Sequence, residues 1–148
     1  MMIPGGHVEP QESAAEAALR EVAEETGLAV TLVAPPAAPV PAGYRGRRVM
    51  PPWWIAEYQV AGDNHVRDPH VHIDHLYVAL AEGTADGPGA AGGGQAEHPF
   101  GWYAATDLAG LDMFDDARLL ARSLLAGLAG EADRAGPAAA LVSGLGRA

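Results

Sequence analysis

The sequence predicts one small α/β (α+β) domain. Three observations lead there: a capped amphipathic helix near the N-terminus, three short β-branched or alternating runs between residues 28 and 80, and a second amphipathic helix after residue 115.

The spacing predicts the first helix over 12–27. Ser13 opens it with Glu16 three residues on as a capping box, and Gly27 stands where a left-handed C-terminal residue is wanted. The run 28–33, Leu-Ala-Val-Thr-Leu-Val, is β-branched and stopped by Pro35-Pro36, and reads as a buried strand. Residues 34–52 form a Pro- and Gly-rich loop carrying Tyr44, Arg45, Arg47 and Arg48. A loop of that length inside a small domain is usually functional or mobile.

Strands over 53–60 and 72–80, joined by a polar turn around Gly62-Asp63-Asn64, read as an antiparallel pair. The Gly/Ala-rich stretch 83–96 reads as a flexible loop and 100–104 as a short strand, and Thr106-Asp107 opens helical material. The second helix spans 115–128, with Ala117, Leu120, Leu124 and Leu128 on one face. From Gly130 onward the composition predicts a disordered tail, so the domain is expected over 1–129 and the tail over 130–148.

At 148 residues the chain has room for one domain of modest core. Its 49% hydrophobic content includes 31 Ala, while Leu, Ile, Val and Phe together number only 30. That is about 20% of the chain, near the level at which burial becomes marginal. A formal charge of −10 argues against a duplex nucleic-acid binder held by a broad basic surface, and for a cation requirement. There is no Cys, which excludes disulfides and thiolate metal sites. With neither a signal-like start nor an apolar run of membrane-span length, the expectation is a soluble cytoplasmic protein with no membrane partner. All nine basic residues are Arg, a bias that reflects base composition rather than function.

On a helical wheel Glu21, Glu24 and Glu25 fall within about 100° of one another, beside the face of Ala15, Ala18, Leu19, Val22 and Thr26 that would pack on a sheet. Three carboxylates so placed repel one another, by a few tenths of a kcal/mol per pair and more when partly buried. A hard divalent cation with oxygen ligands removes that repulsion. The plainer alternative is an ordinary Glu-rich helix surface with Glu16–Arg20 and Arg20–Glu24 as i,i+4 pairs. Against it stand Gly5-Gly6, which let backbone carbonyls come close to whatever the carboxylates hold, and Ala14 and Ala17, which leave the acidic face unobstructed.

These residues carry a resemblance. Gly6, then Glu12, then Arg20-Glu21-Val22-Ala23-Glu24-Glu25-Thr26-Gly27-Leu28 resembles the complete signature of the Nudix hydrolases, with Val22 and Leu28 at its aliphatic positions. Seven fixed positions would coincide by chance on the order of 10⁻⁸ per starting point at ordinary residue frequencies. The flanks 3–10 and 101–108 are similar too, so the likeness spans roughly residues 3–128.

The resemblance implies a Nudix-like α/β/α sandwich with a mixed central sheet, and hydrolysis of a nucleoside diphosphate linked to another moiety by water, with Mg²⁺ or Mn²⁺. The partner it implies is a nucleotide-type small molecule. Carried over by position, Glu21, Glu24 and Glu25 are metal ligands, joined by a carbonyl of Gly5 or Gly6. Glu12 pairs with Arg20 to hold the loop against the helix. Glu24 or Glu25 serves as the base. Glu97, five residues before Trp102, is the best match to a further carboxylate from the loop before the late strand.

Tyr44, Arg45, Arg47 and Arg48 are candidates for gripping phosphates. His70, His72 and Asp74 alternate along one strand with His65 and His75 nearby, a geometry zinc can use; the plainer readings are a polar strand edge or a pocket wall. Trp53, Trp54 and Tyr58 fit a core better than a base-stacking platform.

The sequence departs from the family at its start, because the signature begins at Gly6 where strands ordinarily precede it. Part of the sheet is therefore expected to lack sequence to form it. The explanations that compete are a start assigned too far downstream, which is favoured, a truncated inactive remnant, and completion by a partner chain. An exposed sheet edge would favour association, a homodimer being its simplest form. A non-catalytic Nudix-like module binding a nucleotide or a protein stands as the alternative function.

Overall fold

The computed structural model describes residues 2–36, 39–81, 100–135 and 141–147. In chain order the elements are β1 (Gly5–His7), α1 (Ala14–Thr26), β2 (Val30–Val33), β3 (Trp54–Val60), β4 (His70–Ala81), a 3-10 turn (Asp107–Ala109), α2 (Asp115–Ala135) and β5 (Leu141–Arg147). No helix is long and apolar enough to cross a membrane among the described residues.

β4 is the spine of a five-stranded mixed sheet. One of its edges pairs antiparallel with β5, from Asp74↔Arg147 to Leu80↔Leu141. The other edge takes β3 along residues 70–76 and β2 along residues 78–81, both antiparallel. β1 adds to the far side of β5 in the parallel sense. Trp53 closes the gap between β2 and β3: its backbone N–H donates to Leu76 O at 2.8 Å and its indole N–H to Val33 O at 2.7 Å.

Alternation along β4 separates two faces. Tyr77 packs with Ala15 and Ala18 of α1, with Leu32 and Met50 at the margin. Residues of the opposite parity, His70, His72, Asp74, Leu76 and Val78, turn away from α1. Tyr58 shares their face through its register with His72, and its hydroxyl donates to Asp116 Oδ2 at 2.7 Å, which attaches the start of α2 there. Arg118 of α2 donates to the carbonyls of Leu108, Leu111 and Met113, fixing the segment that carries buried Leu108. Two helices and a mixed sheet thus give the α/β fold class that the sequence predicts, with α1 packed on the sheet.

The first helix follows its local signals. Ser13 Oγ accepts from Glu16 N–H while the Glu16 carboxylate accepts from Ser13 N–H, and Gly27 closes the helix at φ 70°. Ala15, Ala18, Val22 and Thr26 are buried as expected, whereas Leu19 is 37% exposed. Ala17, expected on the open acidic face, is fully buried.

Two expectations are corrected. Residues 100–104 form no strand; Asp107 Oδ2 accepts the Ala104 N–H at 2.8 Å and Asp107 N–H returns to Ala104 O at 2.9 Å, folding the segment into a turn. Residues 130–148 are not a tail throughout, because α2 continues to Ala135 and 141–147 is β5. Gly144 and Gly146 are poor strand formers by themselves, and the strand exists because β4 and β1 supply ladders on both its sides. With β5 in that position the sheet is continuous from β1 to β4.

Candidate active site

The acidic face of α1 is held from one point, the guanidinium of Arg20. Nη2 donates to Glu12 Oε1 at 2.8 Å and Nε to Glu12 Oε2 at 3.3 Å, a forked pair with the loop before the helix. Nη1 donates to Glu21 Oε1 at 2.8 Å and to Glu24 Oε2 at 3.1 Å, and Nη2 also reaches the His7 carbonyl at 3.0 Å. This network holds the Glu12 carboxyl below the usual carboxylate range and raises Arg20 further above its own. Glu12 also accepts from the Glu9 N–H at 2.8 Å, in a loop where Gln11 sits at φ 75°.

Backbone approaches the same face from β1. Gly5 N–H donates to Glu25 Oε2 at 3.1 Å. A Cβ on Gly6 would overlap the Glu21 carboxylate, so only glycine allows strand and carboxylate this close. Glu21 is mostly shielded, its side chain 15% exposed, whereas Glu24 is half exposed. Shielded and open carboxylates on one face, with glycine backbone against them, make an all-oxygen donor set suited to a hard divalent cation.

The model of the NUDIX domain matches residues 1–123. This chain belongs to the Nudix family. Neither the comparison with curated proteins nor that with solved structures returns a match. Membership places this Nudix protein among hydrolases that act on phosphorus-containing anhydrides as a class.

Of the residues singled out from the sequence, Gly5, Gly6, Glu12, Arg20, Glu21, Glu24 and Glu25 come together around α1 and β1. Glu97 lies outside the described residues. The Tyr44–Arg48 loop takes a different place. Arg47 Nη1 donates to Glu16 Oε1 at 3.1 Å, tying the loop to the helix cap and holding Glu16 down to about pKa 2. With Arg48, Val49 and Met50 it lines a groove of about 370 Å³ against Ser13, Leu19 and Leu32, and the lining includes none of Glu21, Glu24 and Glu25. Tyr44, Arg45 and Arg48 are exposed.

A second group of chemistry-bearing side chains sits on the face of the sheet away from α1. Because Gly6 points at Glu21, alternation turns His7 to the other face, where it meets His70 and His72 of β4. The carboxylate joining them is Asp63 of the β3–β4 turn. Asp74, which the sequence spacing suggests for this role, is buried further along the same face. Asp63 Oδ1 accepts the N–H groups of Val66 and His65, both at 2.7 Å, and these bonds hold its carboxyl far below the ordinary range. Gly62 at φ 146° makes the turn, and a Cβ there would strike the Arg67 carbonyl. His7 is far in sequence from the His70/His72 pair, and Asp63, in the turn before them, lies off the alternation of their strand, so no spacing signal joins the group.

Proposed function

We propose that this Nudix protein is a Mg²⁺-dependent pyrophosphohydrolase, cleaving a nucleoside diphosphate linked to another moiety by attack of water on phosphorus. The observation that carries the reading is the Arg20 network, which aligns Glu12, Glu21 and Glu24 while Gly5 and Gly6 bring backbone against Glu25 and Glu21.

Glu21, Glu24 and Glu25, with a carbonyl of Gly5 or Gly6, are the residues that would hold Mg²⁺ or Mn²⁺. When bound, such an ion polarises phosphoryl oxygens and acidifies water. The protein's own work is orientation and proton transfer. Arg20 and Glu12 keep the carboxylates aimed, and Glu24 or Glu25 accepts the proton of the attacking water. Glu97 is proposed as a further carboxylate from its loop. An acidic face can take an anionic diphosphate only through the cation, so metal and substrate bind as a unit.

Release of nucleoside monophosphate from a panel of nucleotide conjugates, with and without Mg²⁺, tests the proposal. Turnover that requires the metal and falls about 10²-fold or more in Glu24→Gln is expected. Undiminished turnover in that variant, or none by the wild type on any conjugate, overturns it.

A further inference from the structure

We propose that His7, Asp63 and His72 form a second metal site, with His70 beside His72, specific for a borderline transition ion such as Zn²⁺ and separate from the carboxylates of α1. The donor atoms converge on Asp63 Oδ2. It lies 3.1 Å from His72 Nε2, 3.6 Å from His70 Nε2 and 3.6 Å from His7 Nε2. His70 Nε2 and His72 Nε2 are 2.9 Å apart. Four donors around a tetrahedral zinc at its usual bond lengths stand about 3.3 Å from one another. The ligand atoms of His7, Asp63 and His72 all lie within 4.8 Å of one another, close to that edge, and His70 Nε2 stands against His72 outside this group.

The surroundings present lone pairs rather than protons. His70 Nδ1 lies 2.9 Å from the Asp68 carbonyl, which can only accept. The Nδ1 therefore carries the hydrogen, and in the neutral ring Nε2 is a bare donor facing the cluster. Asp63 spends Oδ1 on the two backbone N–H groups of its turn, which leaves Oδ2 aimed at the imidazoles. Without an ion, His72 Nε2–H has two acceptors, His70 Nε2 and Asp63 Oδ2, for one proton. A cation satisfies all of them at once.

The donor set chooses the ion. Two imidazoles and one carboxylate suit Zn²⁺, Co²⁺ or Ni²⁺, whereas Mg²⁺ prefers oxygen ligands and the α1 carboxylates supply those. Three protein ligands leave a fourth tetrahedral position for water. Its location fits a clamp. The ion would pin the end of β1 to the β3–β4 turn and to the start of β4, and the pinned residue, His7, offers the carbonyl that Arg20 grips. The His65 ring lies against His7, tilted by 42° with centroids 4.1 Å apart. The His72 side chain is 5% exposed, so the site is shielded from water on its inner side.

Titration of the chelator-treated full chain with Co²⁺ tests this, followed by displacement with Zn²⁺. One equivalent of Co²⁺ giving the intense visible bands of four-coordinate cobalt is expected, unchanged by excess Mg²⁺ and retained in Glu24→Gln. The partly exposed His7→Ala and the turn variant Asp63→Ala should each weaken binding at least ~100-fold while circular dichroism stays native. Zn²⁺ should raise the melting temperature of the wild type and leave that of His7→Ala unmoved, a readout that does not depend on hydrolysis. Absence of the cobalt bands in the wild type overturns the proposal. So do bands that survive both variants, or that vanish in Glu24→Gln, which would put the ion on α1.

Discussion

Arg20 shows how one side chain can organise a site without acting on substrate. Its planar fork meets Glu12 with two nitrogens and still reaches Glu21, Glu24 and the His7 carbonyl. A lysine has the charge but not the fork. Arg20→Lys is therefore expected to lower Mg²⁺-dependent turnover about 10- to 100-fold with the fold intact, and to raise the Mg²⁺ concentration giving half-maximal rate. Wild-type metal dependence in that variant would contradict the positioning role. Glu16 makes a pH-dependent case. Its carboxyl is drawn from 4.5 to about 2 by Arg47 first and by Ser13 next. A depressed carboxylate stabilises the fold in full above its unfolded value and loses that contribution as pH falls through its folded value. Denaturant midpoints of wild type and Glu16→Gln should thus differ most above pH 4.5 and converge toward pH 2.

Among the elements, α1 stands on its own signals and α2 depends on a tether. The Tyr58 hydroxyl of β3 donates to Asp116 in the first turn of α2, and that bond first, with burial second, pushes the phenol up to about 12. The neutral phenol is the form the fold favours, so its contribution is present below pH 10 and is lost as pH rises through about 12. The phenolate absorbance of Tyr58 should appear late in an alkaline titration. Tyr58→Phe should cost about 1 kcal/mol, the exposed location reducing what a charged acceptor would otherwise give. Faster amide exchange in α2 than in α1 would accompany it.

For the molecule as a whole, the position of β5 is decisive. It pairs with β4 over seven residues and with β1 over three, so among the described residues it is the strand that connects Gly5–His7 to the rest of the sheet. Removing residues 141–147 would uncover two edges at once and release β1, which carries Gly5, Gly6 and His7. Such a variant is expected to melt lower and to self-associate in sedimentation. An unchanged melting temperature would show that β1 is held by α1 without β5.

The glutamate helix was legible from sequence because its cause is local. Ser13, Glu16 and Gly27 set its ends, and a period of 3.6 brings Glu21, Glu24 and Glu25 to one face whatever lies beyond. The β3–β4 pair was legible for the same reason, through alternation and a polar turn. Residues 100–104 misled because an aromatic run resembles a strand until a ladder partner is sought, and the bond from Arg47 to Glu16 was not legible because the two stand 31 residues apart. What the sequence determined by itself is the helix, its carboxylates and the family. What only tertiary structure decided is the place of Leu141–Arg147 between two strands, and the meeting of His7, Asp63, His70 and His72 across three segments. Strand pairing and side-chain convergence depend on contacts between residues far apart in the chain, and no local period or propensity encodes those.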